Sequence, residues 1–266
     1  MRRKPIPRIF VGGLVLPACA LVFVCPALAQ SVSAFGASAS VVKAPLSAEQ
    51  VAKKLEERDD QRAASLAQLK ATRIYRVKYY GLWGNRDAEL VAQVTYRAPD
   101  YKQFTVVSQS GSRFIIDHVL KRLMQSEQEY LDDNNDGHSS ALNTTNYNFA
   151  LAGYETTPQG AQYVLDVTPK TSNRFLYRGK IWVDAKDFAV ARIQGEPEHN
   201  PSIWIRKTEI DHRYSKVDGF WLPAVDHSQS FIRMGGRADL SIEYKDYTIT
   251  KAAPIAGYEG PGSAAK

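Results

Sequence analysis

The chain offers side-chain chemistry in two kinds of place: one aspartate-rich loop and three Asp-His dipeptides. The loop reads Asp132-Asp133-Asn134-Asn135-Asp136-Gly137 and fits D-x-[DN]-x-[DN]-G, the first half of a calcium loop. Asp132, Asn134 and Asp136 would supply hard oxygen ligands, and Gly137 would allow the sharp turn. The twelfth position is Asn143, where such a loop needs a bidentate carboxylate, and the following segment reads as strand rather than helix. A polar helix-to-strand loop accounts for the same residues, so both readings stay open. The dipeptides are Asp117-His118, Asp211-His212 and Asp226-His227. Neighbours on a strand point to opposite faces, so a dipeptide alone does not form an orienting pair. Two of them can meet across a hairpin turning at Asp218-Gly219. A two-residue turn sets Asp211 opposite Asp226, and a one-residue slip sets Asp opposite His. Otherwise they decorate an exposed polar face.

Other catalytic signatures are missing. There is no H-E-x-x-H, no G-x-S-x-G and no P-loop. No carboxylate stands isolated in an apolar run. The reading is therefore non-enzymatic, with no cofactor, and a hydrolase with a dispersed site is the remote alternative.

What the chain has in quantity is apolar and aromatic material at strand period. Tyr75/Val77/Tyr79, Leu90/Ala92/Val94/Tyr96, Phe175/Tyr177/Ile181/Val183 and Leu240/Ile242/Tyr244 each line one face of a strand. Polar sets such as Arg76/Lys78, Gln93/Thr95/Arg97, Arg178/Lys180 and Ser241/Glu243/Lys245 lie opposite. A sheet with one apolar face must bury that face.

The elements that would position these residues follow from period and punctuation. Ser47 and Gln50 form a capping box that starts a helix, which should run to about Leu69 on a narrow stripe of Val51, Leu55, Leu66 and Leu69. Strands follow at 73–80, 89–96 and 103–109. A second helix opens at Gly111-Ser112 and ends near Tyr130, with a wide apolar face of Phe114, Ile115, Ile116, Val119, Leu120, Leu123 and Met124. The rest is strand pattern: 146–153, 161–167, 174–183, 188–194, 203–214, 220–231 and 237–249. The fold class is mainly β (α+β): about ten antiparallel strands, one helix before them and one inserted after the third. Two helices are little cover for ten strands, so a curved sheet with helices across its mouth would leave an apolar cavity; a fully packed core is the alternative.

The ends set the compartment. Residues 1–29 have the order of a secretory signal peptide: basic Arg2, Arg3, Lys4 and Arg8, an apolar run over 9–24, then Ala27-Leu28-Ala29. The apolar run is short and carries proline, which disfavours a membrane anchor. Removing it takes away both cysteines, Cys19 and Cys25, and four basic residues. The whole chain is +6, whereas the remainder holds 30 basic against 28 acidic side chains. Disulfides, thiolate chemistry and a nucleic-acid partner lose their support. Residues 30–45 read as a flexible lead and 251–266 as a disordered tail.

The phrases of the C-terminal half carry a resemblance. They are Phe175-Leu176-Tyr177-Arg178-Gly179-Lys180-Ile181-Trp182-Val183-Asp184, Phe188-Ala189-Val190-Ala191-Arg192, Gly219-Phe220-Trp221-Leu222-Pro223 and Leu240-Ser241-Ile242-Glu243-Tyr244-Lys245-Asp246-Tyr247. With the element order, they resemble the outer-membrane lipoprotein-sorting (LolA/LolB-like) superfamily of periplasmic carriers over residues 46–250. The resemblance implies an unclosed, strongly curved antiparallel half-barrel of ten to eleven strands with helices lidding its concave face. It implies a periplasmic protein binding lipidated proteins, lipids or other hydrophobic molecules, with membrane-associated envelope proteins as further partners. The expected ligand lining is Tyr75, Val77, Tyr79, Val94, Tyr96, Leu120, Tyr177, Ile181, Val183, Ile242 and Tyr244, with the second helix as lid. The family's ligand-handling arginine has Arg76 and Arg97 as candidates. The alternative is an envelope protein-binding or stress-sensing module with a packed core.

Overall fold

A computed structural model describes residues 44–252, apart from 82–83, 100, 134–140, 159, 174, 201 and 234. The segments predicted as signal peptide, lead and tail lie outside the described residues, apart from residues 44–45 and 251–252. So does the aspartate-rich loop from Asn134 onward.

The chain opens with α1 (Ala48–Ser65), capped by the reciprocal Ser47–Gln50 box. It buries Val51, Ala52, Leu55 and Ala63. The helix stops at Ser65 rather than near Leu69, because Leu66 is already extended. Leu66 and Leu69 belong to β1 (Leu66–Tyr80), where Leu69 pairs with Tyr96 on one side and Ile249 on the other. Two ladders of backbone hydrogen bonds outweigh one more helical turn with a thin apolar stripe.

β2 (Arg86–Arg97) and β3 (Tyr101–Gly111) complete the first meander. The second helical unit is composite. It begins as α2 (Arg113–Ile115), passes through a π-helical turn (Ile116–Leu120) and continues as α3 (Lys121–Asp133). The wide apolar face predicted for it is present, except that Phe114 is 47% exposed and stacks on His118 at 4.7 Å between ring centroids. The remaining strands are β4 (Tyr147–Thr157), β5 (Gly160–Pro169), β6 (Tyr177–Asp184), β7 (Val190–Pro197), β8 (Ile205–Val217), β9 (Phe220–Ile232) and β10 (Arg237–Lys251).

All ten strands form one antiparallel sheet in the order β3-β2-β1-β10-β9-β8-β7-β6-β5-β4. β3 and β4 are its edges and do not meet, so the sheet is an unclosed half-barrel with helices on one face. The pairing of β1 with β10 joins the two meanders.

Register defines the concave face. One row of Cα partners crosses every strand: Leu151, Leu165, Ile181, Ile193, His212, Asp226, Ile242, Tyr75, Leu90 and Gln109. The core falls into two large halves and a smaller third cluster around Leu66, Phe220 and Leu222. Val51 and Leu55 of α1 pack on Leu165, Tyr177, Ile181, Val183 and Ile193. Ile116, Leu120, Leu123 and Met124 pack on Tyr75, Val77, Leu90, Leu240 and Ile242. The two halves are separated at β8 and β9, where Thr208, Ser228 and Ser230 are buried and Thr208 hydrogen-bonds Ser230 at 3.0 Å.

Candidate functional site: a lidded concave face

Most of the expected lining residues divide between the two halves. Tyr75, Val77, Leu120 and Ile242 come together under the second helical unit, with Tyr79 and Tyr244 half-buried against them. Tyr177, Ile181 and Val183 lie in the other half, under α1. Val94 is buried on β2, paired with Ala71 and Phe104. Tyr96 packs instead on a third cluster of Leu66, Phe220 and Leu222, and its hydroxyl donates to the Pro99 carbonyl at 2.9 Å. The eleven residues therefore share the sheet without forming one continuous wall.

Charged residues that the sequence reading missed run through the same face. Glu127 of α3 points down onto the sheet between Arg73 of β1 and Lys102 of β3. It accepts a 2.8 Å bond from Arg73 and a short one from Lys102. All three side chains are nearly inaccessible: Arg73 is 12% exposed, Lys102 9% and Glu127 7%. The Arg73 guanidinium also lies 4.9 Å from the Tyr244 ring centroid and 5.6 Å from that of Phe104. The Tyr244 hydroxyl donates to Asp226 Oδ2, and Asp226 Oδ1 lies 2.6 Å from His212 Nδ1. A chain of polar contacts thus links Lys102, Glu127, Arg73, Tyr244, Asp226 and His212 across β3, α3, β1, β10, β9 and β8.

The electrostatics follow from burial and neighbours. Burial pushes the Glu127 carboxyl up, but Arg73 and Lys102 outweigh it and hold it down at about 2. Burial, helped by the Arg73 charge, lowers the Lys102 amine despite Glu127. Burial drives the Tyr75 phenol up to about 12. At His212 burial opposes protonation, yet Asp226 outweighs it and raises the imidazole above its ordinary value.

Some of this was available from phase. Arg73 lies two residues before Tyr75 on the inward set, and Lys102 two before Phe104. Glu127 follows Leu123 by one helical turn. The arginines proposed instead, Arg76 and Arg97, face outward: Arg76 binds Glu89 and Glu243 on the outer surface, and exposed Arg97 lies over Tyr101. Their phase opposes the apolar set, so the buried arginine of the early strands is Arg73.

The His212–Asp226 pair depends on a bulge. From the turn outward, Val217 pairs with Phe220 and Tyr214 with Pro223, as a two-residue turn requires. Then the register shifts, and Arg213 pairs with Val225, His212 with Asp226 and Asp211 with His227. Pro223 has no N–H to give to the ladder, and a bulge is one of the few places a strand accepts it. The slip puts His212 and Asp226 inside and leaves Asp211 outside, bound to Arg192 by two 2.8 Å bonds.

An Asp-oriented imidazole is also the arrangement of a general base. Here Nε2 is buried and has no hydrogen-bond partner among the described residues, and His212 is 3% exposed. Among the described residues no three His, Cys, Asp or Glu side chains gather as a metal centre. Asp132 lies within α3, and the loop beyond it is outside the described residues.

No protein-family model matches the chain, and a search of curated proteins found no match. Solved structures similar to it include a DUF1329-family protein from Desulfovibrio piger, at 14% identity and TM-score 0.38, covering 79% of this chain and 93% of that one. A putative outer membrane lipoprotein-sorting protein domain from Vibrio parahaemolyticus aligns at 10% identity and TM-score 0.38, covering 80% and 94%. A LolA superfamily protein from Nitrosomonas europaea aligns at 12% identity and TM-score 0.33, covering 78% and 96%. The resemblance read from the sequence phrases names the same group. At these scores the likeness is one of general shape, and function rests on the chain's own residues.

Proposed function

We propose that this protein is an exported, non-enzymatic binder of lipidated or hydrophobic molecules, taken up on the concave face of the half-barrel beneath the second helical unit. The observation that carries the reading is the way that helix is held. It covers Tyr75, Val77, Leu90 and Ile242 with apolar side chains, and Glu127 pins it to Arg73 and Lys102. Lifting the helix would expose a continuous apolar strip, and the ion cluster would close it again. An acyl chain gains about 0.8 kcal/mol per buried CH₂, so even a partly opened strip holds a lipid firmly. The half under α1 would stay packed.

A second reading has its own support. Tyr75, Leu120, Tyr177, Ile181, Val183 and Ile242 are each no more than 2% exposed, which is the burial of a packed core. A protein-binding envelope module would use its surface instead.

Mass spectrometry of lipid extracted from the purified protein separates the two. The carrier reading expects co-purifying lipid and displacement of a fluorescent fatty acid. Neither being found would sink it. Leu120→Glu should weaken ligand retention by at least ten-fold, since it sets a carboxylate in the apolar strip. Unchanged retention would remove the helix from the role of lid.

A further inference from the structure

Strand direction sends the β1–β2, β7–β8 and β9–β10 connections and the start of α2 to one end of the half-barrel. That end displays large apolar side chains to solvent: Ile203 is 78% exposed, Phe114 47% and Tyr80 37%. They lie along one rim. Tyr80 pairs with Arg237, whose guanidinium is 4.9 Å from its ring centroid. The Arg233 N–H donates to the Trp204 carbonyl at 2.8 Å, bringing the β9–β10 turn against the Ile203-Trp204 loop. The Ser112 N–H donates to the Asp87 carbonyl at 2.8 Å, which sets Phe114 beside the start of β2.

The same rim is cationic. Arg86, Arg113, Arg206 and Arg233 are exposed, and none has an ion-pair partner among the described residues. Glu196, Glu198 and Asp239 of this end are taken up by Lys207, Arg178 and Arg237. Asp87 is the one carboxylate there without a cation among the described residues. Asp117, near Arg113, is held by Lys121. Single apolar and aromatic side chains spaced along a rim, with arginines outside any ion pair between them, match the boundary between lipid headgroups and acyl chains. They do not gather into the central packed cluster that a protein partner's hot spot requires.

We propose that this rim docks on an anionic lipid bilayer. Ile203, Trp204 and Phe114 enter the headgroup–acyl boundary, and the arginines meet lipid phosphates. Docking is peripheral: no helix among the described residues is long and apolar enough to cross a membrane. The proposal goes beyond ligand binding and stands without it, because vesicles are bound whether or not the concave face is loaded.

Flotation of the purified protein with vesicles tests it. The protein should float with phosphatidylglycerol–phosphatidylethanolamine vesicles, weakly with phosphatidylcholine alone, and less as salt rises. Arg113→Gln, Arg206→Gln and Arg233→Gln should each lower partition on the order of five-fold. Ile203→Asp should lower it further. Lys186→Gln, in the β6–β7 turn at the opposite end, should leave it unchanged. The proposal is overturned by equal flotation with neutral vesicles, by an equal loss from Lys186→Gln, or by no flotation, including the case where an acidic protein binds the rim instead.

Discussion

Glu127 is the residue on which most of the concave face depends. It is the anion between two buried cations, and removing its charge leaves Arg73 and Lys102 buried without a counterion. Breaking a buried ion group from one side is costly even where the intact group adds little. Glu127→Gln should therefore destabilise the fold by about 3–5 kcal/mol, read as a lowered urea midpoint. Replacing Arg73, Lys102 and Glu127 together with Met should recover much of that loss. A triple variant as weak as the single one would show that the cluster does more than neutralise itself. None of the three was singled out from sequence, although each stands in phase with apolar neighbours. A charged residue in an inward position is easily read as a break in the pattern; the partner that makes it tolerable lies 25 or 54 residues away in the chain.

At the scale of elements, strand count and order of helices were legible, while boundaries moved where long-range pairing competed with local preference. Residues 66–69 show the competition: their spacing suits the stripe of α1, yet two neighbouring strands claim them. The hairpin of β8 and β9 shows a second kind of hidden information. Its turn predicts one register, and the bulge beside Pro223 replaces it with another over its outer part. Curvature has its own residues. Gly179 of β6 pairs with Gly195 of β7, and a Cβ on Gly195 would sit 2.0 Å from the Arg178 carbonyl oxygen. Because that neighbour is backbone, the strands themselves would have to part. Gly195→Ala should cost about 1–3 kcal/mol of stability by urea unfolding, the range for overpacking. A neutral effect would mean that β6 and β7 separate freely at this point.

At the scale of the whole molecule, the buried ion pairs set the dependence of stability on pH. Glu127 has a folded value depressed from 4.5 to about 2, so its contribution is complete above 4.5 and is lost as pH falls through about 2. His212 has a folded value raised above 6.5, so its contribution is complete below 6.5 and is lost as pH climbs through the raised value. Stability should peak between these limits and decline on both sides. In urea midpoints measured against pH, Glu127→Gln should flatten the acid limb and His212→Asn the alkaline limb. An alkaline limb unchanged in His212→Asn would remove the Asp226 pair from the account.

The sequence by itself determined the class of fold, the capping box of α1, the ten-strand pattern and which face of most strands is apolar. These are local periodicities, written in neighbouring residues. It also carried the phrases that resemble a lipoprotein-sorting superfamily, and the solved structures similar to this chain include proteins of that description. Only the tertiary structure decided that the apolar face divides into two large clusters, that Glu127 lies between Arg73 and Lys102, and that His212 meets Asp226. Each of those depends on register between segments far apart in the chain. A shift of one residue exchanges inside for outside, and nothing local to either strand records it.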